Sequence, residues 1–341
     1  MQQAIKLAAG HHTHPNPRVG AVVVSDDGQV LGEGAHEGVG HDHAEVVALR
    51  AAGETARGAT LYVTLEPCAH HGHTPPCTDA ILAAGIANVV VAVKDPDERV
   101  SGSGIYLLKQ AGVDVEVDVE AEAALKLDRA YFHHQETGKP FVTLKLAMTL
   151  DGSIAALDGN SKWITSEESR ADVHRLRSRM DAVVVGAGTL RSDDPLLDVR
   201  HGESLAYQPR PVVIAGTKEL PPWAKIWERA PLVISCREID IPNGDVVVVA
   251  GDRELPYPET AAQALADHGL LDVLLEGGAG IAGAWLRAGA INRVILYLAG
   301  RMGGGVGLQP IGGQFATMAD SREVTITDVQ TIGPDLRIEF Q

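Results

Sequence analysis

Residues 43–77 read HAEVVALRAAGETARGATLYVTLEPCAHHGHTPPC. HAE opens an apolar run, so His43 stands where a helix begins. ATLYVTLE is dominated by β-branched and aromatic residues and predicts a strand, with Pro67-Cys68 turning the chain at its end. The stretch therefore supplies an imidazole, two thiols and a carboxylate around a helix start and a strand end. His43, Cys68 and Cys77 are three N/S ligands, the number that leaves a tetrahedral metal one open position. Glu45 lies two residues from His43, and such pairs do not share a helix face. The two meet at one site only if that site is the helix tip, which leaves Glu45 to move protons rather than bind metal.

A disulfide or two unrelated core cysteines would also account for Cys68 and Cys77. The chain has three cysteines in all, and MQQAIKLAAG lacks a signal-peptide layout, so a disulfide is disfavoured and a cytoplasmic location expected. H-x-E followed by P-C is the pattern of zinc deaminases, in which the glutamate is the general acid/base. Here the second cysteine comes nine positions after the first, where that pattern has a gap of about three.

Working outward, 341 residues are enough for two cores. The net charge of −16 argues against a polynucleotide partner, and no apolar run reaches the length of a membrane span. Eleven of the fourteen histidines precede residue 141, which points to two modules with different chemistry. Residues 2–9 predict a short helix, RVGAVVVS and VLGEGAH paired strands, and TDAILAAG and GIYLLKQAG helices. NVVVAV and VDVEVDV are further strands, 120–135 a single closing helix, and ETGKP a linker. The expected domains are 1–138 and 139–341.

The second half restarts with the strand PFVTLKLAMTLDGSIA, its turn at Asp151-Gly152. Ser166 caps the amphipathic helix SEESRADVHRLRSRM. DAVVVGAG is a strand meeting a glycine-rich turn before TLRSDDP. PVVIAG, PLVISC, DVVVVA and DVLLEGG are strands, with Cys236 a buried strand thiol. ETAAQALADHG is a helix, and GAGIAGAWLRAG a helix whose glycine-rich start suits a pyrophosphate. NRVILYLAG, EVTITDVQ and DLRIEFQ predict closing antiparallel strands. The alternation of strands and helices makes both halves α/β.

HPNPRVGAVVV, HAEVVALRAAG, TLEPCAHHGHTPPC and KDPDERVSGSGI, followed by TLDG, SKWITS, TLRSDDPLLDVR and LEGGAGIAGAWLRAGAINRV, resemble the bifunctional riboflavin-biosynthesis deaminase/reductase family over nearly the whole chain. The resemblance implies a cytidine-deaminase-like α/β/α domain and a dihydrofolate-reductase-like α/β domain. It implies zinc-dependent deamination of a diaminopyrimidinone ribosylamine 5′-phosphate, then NADPH-dependent reduction of its ribosyl group to ribityl. The expected partner is that small molecule, with neither nucleic acid nor membrane, and a homo-oligomer is expected.

By the same resemblance, Asn16, His36, His73, Asp95 and Asp97 would face the deaminase substrate. His73 and Asp97 stand where relatives carry Lys or Arg and Asn. NADPH would lie along Ala147, Trp163, Thr189, Asp193 and the loop Gly278, Ala279, Gly280, Ile281, Ala282, Gly283 and Ala284. Ser161, Arg177, Leu197, Arg200 and Glu276 would hold the reductase substrate, and Lys145 and Asp151, at the TLDG turn, are candidates for a catalytic role. Arg170, His174 and Arg177 share one helix face by spacing. PVVIAGTKELPP lacks the Asp-Ser pair of many relatives, which leaves the contacts of the adenosine phosphate unassigned. A cytidine or tRNA-adenosine deaminase fused to another domain, a metal-dependent binding protein without activity, and a dihydrofolate reductase proper are the rival readings.

Overall fold

The computed structural model describes residues 1–70, 75–97, 101–156, 164–200, 207–253, 255–304, 307–311, 321 and 323–341. The expectations placed on His73, Ser161 and Trp163 lie outside these residues. The chain divides into two compact units, Met1–Gly138 and Lys139–Gln341.

The first unit runs α1 (Gln2–Ala8), β1 (Gly20–Val24), β2 (Val30–Ala35), α2 (Ala44–Ala52), β3 (Thr60–Leu65), α3 (Cys77–Ala84), β4 (Asn88–Val93), α4 (Ser103–Gln110), β5 (Asp114–Val117), α5 (Ala121–Leu127) and α6 (Arg129–Thr137). Its sheet order is β2-β1-β3-β4-β5. The short turn between β1 and β2 makes them antiparallel, whereas the helical crossovers α3 and α4 make β3, β4 and β5 parallel. Ala21, Val23, Leu61, Val63, Val89 and Val91 point to one side of the sheet and pack with Ala48, Ile81 and Leu108. β2 meets α2 backbone to backbone. A Cβ on Gly34 would lie 2.3 Å from the Ala44 carbonyl oxygen, so only glycine lets the helix tip sit this close to the sheet. The single closing helix expected over 120–135 is broken at Asp128 (φ −131°, ψ 45°). The Asp128 side chain binds groups near the N-terminus instead of continuing a surface helix.

The second unit comprises β6 (Phe141–Thr149), α7 (Glu167–Arg177), β7 (Ala182–Gly186), α8 (Ala187–Asp193), β8 (Arg210–Ile214), β9 (Leu232–Ser235), β10 (Asp245–Val248), the small pair β11 (Gly251–Asp252) and β12 (Leu255–Pro256), α9 (Pro258–Asp267), β13 (Asp272–Leu275), α10 (Ala279–Arg287), β14 (Arg293–Ala299), β15 (Ile326–Ile332) and β16 (Asp335–Phe340). Its main sheet has the order β10-β9-β8-β7-β13-β6-β14-β16-β15. Neighbours are parallel from β10 to β14, and β16 alone runs against the rest, antiparallel to both β14 and β15. NRVILYLAG follows the crossover helix α10 and borders both parts of the sheet: it pairs in parallel with β6 and, as expected, antiparallel with the closing strand β16. Continuous apolar runs suit a sheet covered on both faces. Val184, Val212 and Leu275 pack with Trp285 on one side, and Val183, Val213 and Leu274 with Trp227 on the other. The turn expected after DAVVVGAG is the helix α8. The Ser166 hydroxyl accepts from the Ser169 amide at 3.2 Å and caps α7. Cys236 is half-buried, one residue beyond β9. Among the described residues no helix is long and apolar enough to cross a membrane.

Candidate active sites

In the first unit three chain segments converge. His43 is the residue before α2, Cys68 follows the end of β3 through Pro67, and Cys77 is the first residue of α3. Their ligand atoms all lie within 4.8 Å of one another. His43 Nδ1 is 3.0 Å from Cys77 Sγ and 3.6 Å from Cys68 Sγ. Ligands on a tetrahedral zinc, at its usual bond lengths, stand about 3.5–3.8 Å apart, so the trio fits that ion. The thiols support the same reading. The bond from Cys77 is the main force driving Cys68 down to about 4. That bond and burial push Cys77 up. A cation binding there would take both sulfurs as thiolates and displace their protons.

Glu45, in the first turn of α2, is 3 % exposed. Burial raises its carboxyl above the ordinary range, as suits a group that takes and returns a proton. His36 is buried, and burial lowers its pKa. It bonds the Asp42 carbonyl through Nδ1 at 3.0 Å and Asn16 Nδ2 through Nε2 at 3.0 Å. The carbonyl requires a donor at Nδ1, so Nε2 of the neutral ring accepts and orients the Asn16 amide. A cavity of about 180 Å³ is lined by Asn16, His36, His43, Glu45, Glu66, Cys68, His70, Asp95, Asp97 and Tyr131.

Glu66 and Tyr131 have no motif in the sequence. Glu66 sits in TLEPC, where it reads as the end of a strand. Its buried carboxylate accepts backbone N–H groups from Asp95, Gly102, Gly104 and Ile105 at 2.9–3.3 Å. It thereby ties the loop after β4 and the start of α4 to the zinc-ligand turn. Asp95 accepts from the Asp97 amide at 2.9 Å and from the Tyr131 hydroxyl at 3.4 Å.

In the second unit a cavity of about 400 Å³ is lined by Lys145, Ala147, Arg170, Arg177, Thr189, Asp193, Leu197, Glu276 and Gly278, among others. At its centre Arg177 Nε and Nη2 donate to the two oxygens of Glu276 at 2.6 and 3.0 Å. Lys145 Nζ lies 3.7 Å from the same carboxylate. Burial would raise the Glu276 carboxyl, but Arg177 and Lys145 outweigh it and hold it at about 2. Lys145 lies within β6, four residues ahead of the turn in which it was expected. Asp151 accepts from the Gly303 and Gly304 amides at 2.9 and 2.7 Å and so closes a loop, and it is not among the lining residues.

Leu197 is buried, with its backbone in the left-handed region at φ 55°. Its neighbours are clamped on both sides: Arg229 donates to the Leu196 carbonyl at 2.9 Å and Arg177 to the Asp198 carbonyl at 3.0 Å. Strain of this kind persists where surrounding bonds over-determine it.

A second cavity of about 590 Å³ shares Thr189, Ser192 and Gly278 with the first and is also lined by Gly280, Ile281, Ala284, Arg191 and Lys218. Gly278 is the N-cap of α10, so free N–H groups and a positive helix end face this region. Ala279 lines neither cavity, and Ala282 and Gly283 are buried in the helix packing. Arg200 lines neither cavity. Its side chain is 62 % exposed, 3.3 Å from Asp198, and its amide donates to the buried His174. Arg191 and Lys218 had no motif to find them, because only the fold brings the end of β8 beside α8.

Residues 1–93 match the family described as the cytidine and deoxycytidylate deaminase zinc-binding region, and residues 140–338 match the RibD C-terminal domain. The chain is 42 % identical to the riboflavin biosynthesis protein RibD of Mycobacterium tuberculosis (strain H37Rv) and 39 % identical to that of Aquifex aeolicus. Each alignment covers the whole of this chain and 97 % of the relative. Among solved structures, Acinetobacter baumannii RibD is 38 % identical with a TM-score of 0.89, over 99 % of this chain and 96 % of that one. The diaminohydroxyphosphoribosylaminopyrimidine deaminase/5-amino-6-(5-phosphoribosylamino)uracil reductase of Thermotoga maritima is 33 % identical with a TM-score of 0.90, over 100 % and 97 %.

Proposed function

The chain belongs to the RibD family of bifunctional riboflavin-biosynthesis deaminase/reductases, with a zinc-binding deaminase region and an NADPH-dependent reductase region, and from that premise we propose how its residues divide the work. Residues 1–138 deaminate the diaminohydroxypyrimidine ribosylamine 5′-phosphate, and residues 139–341 reduce the ribosyl group of the aminouracil product to ribityl. The observation that carries this reading is the buried Glu45 carboxyl beside a His-Cys-Cys trio of metal-ligand spacing.

His43, Cys68 and Cys77 would hold zinc, which would supply an activated water for attack on the amidine carbon. Glu45 takes the proton of that water and returns it to the departing amine. Asn16, oriented by His36, meets the pyrimidine ring, and Asp95, set by Tyr131 and the Asp97 amide, reaches the sugar. The same role is assigned to His73.

In the reductase unit NADPH, when bound, would supply hydride to C1′ of the ring-opened ribose. Ala147, Trp163, Thr189 and Asp193 would position the cofactor, and the helix start at Gly278, Ala279 and Gly280 would hold its pyrophosphate. Ile281 and Ala284 pack against it, while Ala282 and Gly283 seat the helix on the sheet. Arg191 and Lys218 are the cations available to its adenosine end. Glu276, kept ionised by Arg177 and Lys145, accepts hydrogen bonds from the sugar hydroxyls. Ser161, Leu197 and Arg200 complete the substrate's surroundings, with Arg200 as an exposed cation for its phosphate.

The protein is read as a cytoplasmic homo-oligomer. The edge strand β15 supports self-association, since it leaves Ile326 and Val329 61 % and 55 % exposed. Light scattering of the purified chain tests this. The functional reading is tested by following ammonia release and NADPH oxidation together. Ammonia must appear without NADPH, and NADPH oxidation from the unreacted substrate must wait for it.

A further inference from the structure

We propose that Asp128, the residue separating α5 from α6, is a positioning residue for deamination that fixes the Asn16 turn by holding both of its flanks. The proposal rests on the reading that Asn16 meets the pyrimidine. The turn closes on itself: Thr13 Oγ1 donates to the Asn16 carbonyl at 2.9 Å, and the Asn16 amide donates to the Thr13 carbonyl at 3.0 Å. Neither bond ties the turn to the rest of the unit. Asp128 does so twice. His14 Nε2 lies 2.7 Å from one carboxylate oxygen, and the Arg18 amide donates to the other at 2.7 Å.

The side chains of His14 and Asp128 are 1 % and 3 % exposed. An ionised carboxylate only accepts, so His14 donates through Nε2. Burial would push the Asp128 carboxyl up, but His14 and Arg18 outweigh it and hold it below its ordinary value. Asp128 does not line the cavity, so it acts through the turn and not on substrate. Three residues further, Tyr131 lines the same cavity and holds Asp95. The break at Asp128 thus lets α6 brace two arms of the site. This brace lies beyond residues 1–93, the segment matched to the zinc-binding region, so the zinc scaffold does not provide it.

Asp128→Asn keeps the shape but turns one acceptor into an NH2 group, which either faces the Arg18 amide donor or makes His14 move its proton from Nε2 and accept there, and in both cases the charge that binds the two flanks is lost. A turn moved by an ångström costs up to about a hundredfold in rate, so in the full-length zinc-loaded protein we expect deaminase kcat/KM to fall at least about tenfold. Zinc content should stay unchanged. The decisive comparison is the same substitution in an Asn16→Ala background. If Asp128 works through Asn16, the second change adds less than about twofold there. Equal losses in both backgrounds would overturn the proposal and leave Asp128 a general packing role. Unchanged deamination in Asn16→Ala alone would instead overturn the reading of Asn16 on which the proposal stands. Should Asp128→Asn fail to fold, His14→Gln removes one arm only. It must impair deamination in the wild-type background and not in Asn16→Ala, and an equal loss in both overturns the proposal.

Discussion

The first unit concentrates its chemistry in four side chains whose reactive atoms meet at one helix tip, and burial pushes the Glu45 carboxyl up. The second unit spreads its site along the ends of β6, β7 and β13 and the start of α10. Much of that surface is backbone, and its central carboxylate is held down at about 2 by two cations. Two buried glutamates have thus been given opposite tasks by their neighbours. Among the described residues Glu45 has no lysine or arginine paired with it and is suited to carry a proton. Glu276 grips Arg177 with both oxygens and is suited to stay charged and accept hydrogen bonds.

Substituting the two glutamates gives the sharpest test of that contrast. Glu45→Gln should retain about one zinc per chain and lose on the order of a thousandfold in deaminase kcat, because the amide cannot take a proton. Reduction of pre-deaminated substrate should survive. Loss of both activities in a folded, zinc-loaded protein would break the comparison.

Glu276→Gln should act on stability as well as on reduction, because it strands Arg177. We expect a loss of about 3 kcal/mol in the unfolding of the reductase unit at neutral pH. The sign with pH follows from a carboxyl held at about 2 in the folded chain against an ordinary value of 4.5. Its stabilising contribution is complete above the ordinary carboxylate range and is lost as pH falls from there through about 2. Denaturation midpoints measured from pH 7 downward should therefore drop less steeply in Glu276→Gln than in the wild type. Parallel curves would show that Glu276 is not held ionised by its partners.

Smaller effects are expected where the site is made of backbone and surface charge. Gly278→Asp puts a carboxylate at the start of α10, where we propose the cofactor pyrophosphate lies, and should weaken NADPH binding roughly tenfold in a direct titration. Arg200→Ala should raise the reductase KM only about threefold, and the difference should vanish in high salt, because an exposed charge is screened. A large, salt-insensitive effect would bring Arg200 into the buried part of the site.

How much of this was legible in the sequence follows the same divide. His43, Glu45, Cys68 and Cys77 lie at motif spacing within 35 residues, and their chemistry names their role. The β–α alternation, the Ser166 cap and the helix start at Gly278 were also readable, because each is set by local residue types. Partners distant in sequence were not. Arg177 and Glu276 are 99 residues apart, and Asp128 and Arg18 110. Nothing near Asp128 signals that its side chain will leave a helical pattern to bind an N-terminal loop. Glu66 looked like a strand end because its four partners are backbone amides, which carry no side-chain signature. The antiparallel pairing of β14 with β16 was legible, but its parallel pairing with β6 was not, for a related reason. Its apolar run fits either direction, and the crossover through α10, not its composition, makes it parallel to β6. The helix α8 was hidden because the glycines of VVVGAGT also suit a turn.

The central claim is that one chain performs two chemically distinct steps in a fixed order, and mass analysis of the product tests it most directly. The purified zinc-loaded protein is given the diaminopyrimidine ribosylamine phosphate, with and without NADPH. Without NADPH the product should have exchanged an imino group for oxygen and gained nothing else. With NADPH it should carry in addition two hydrogens, one of them from the cofactor's deuterium-labelled position when that form is used. A product that gains the hydrogens while keeping its nitrogen, or no mass change in the absence of NADPH, would contradict the account.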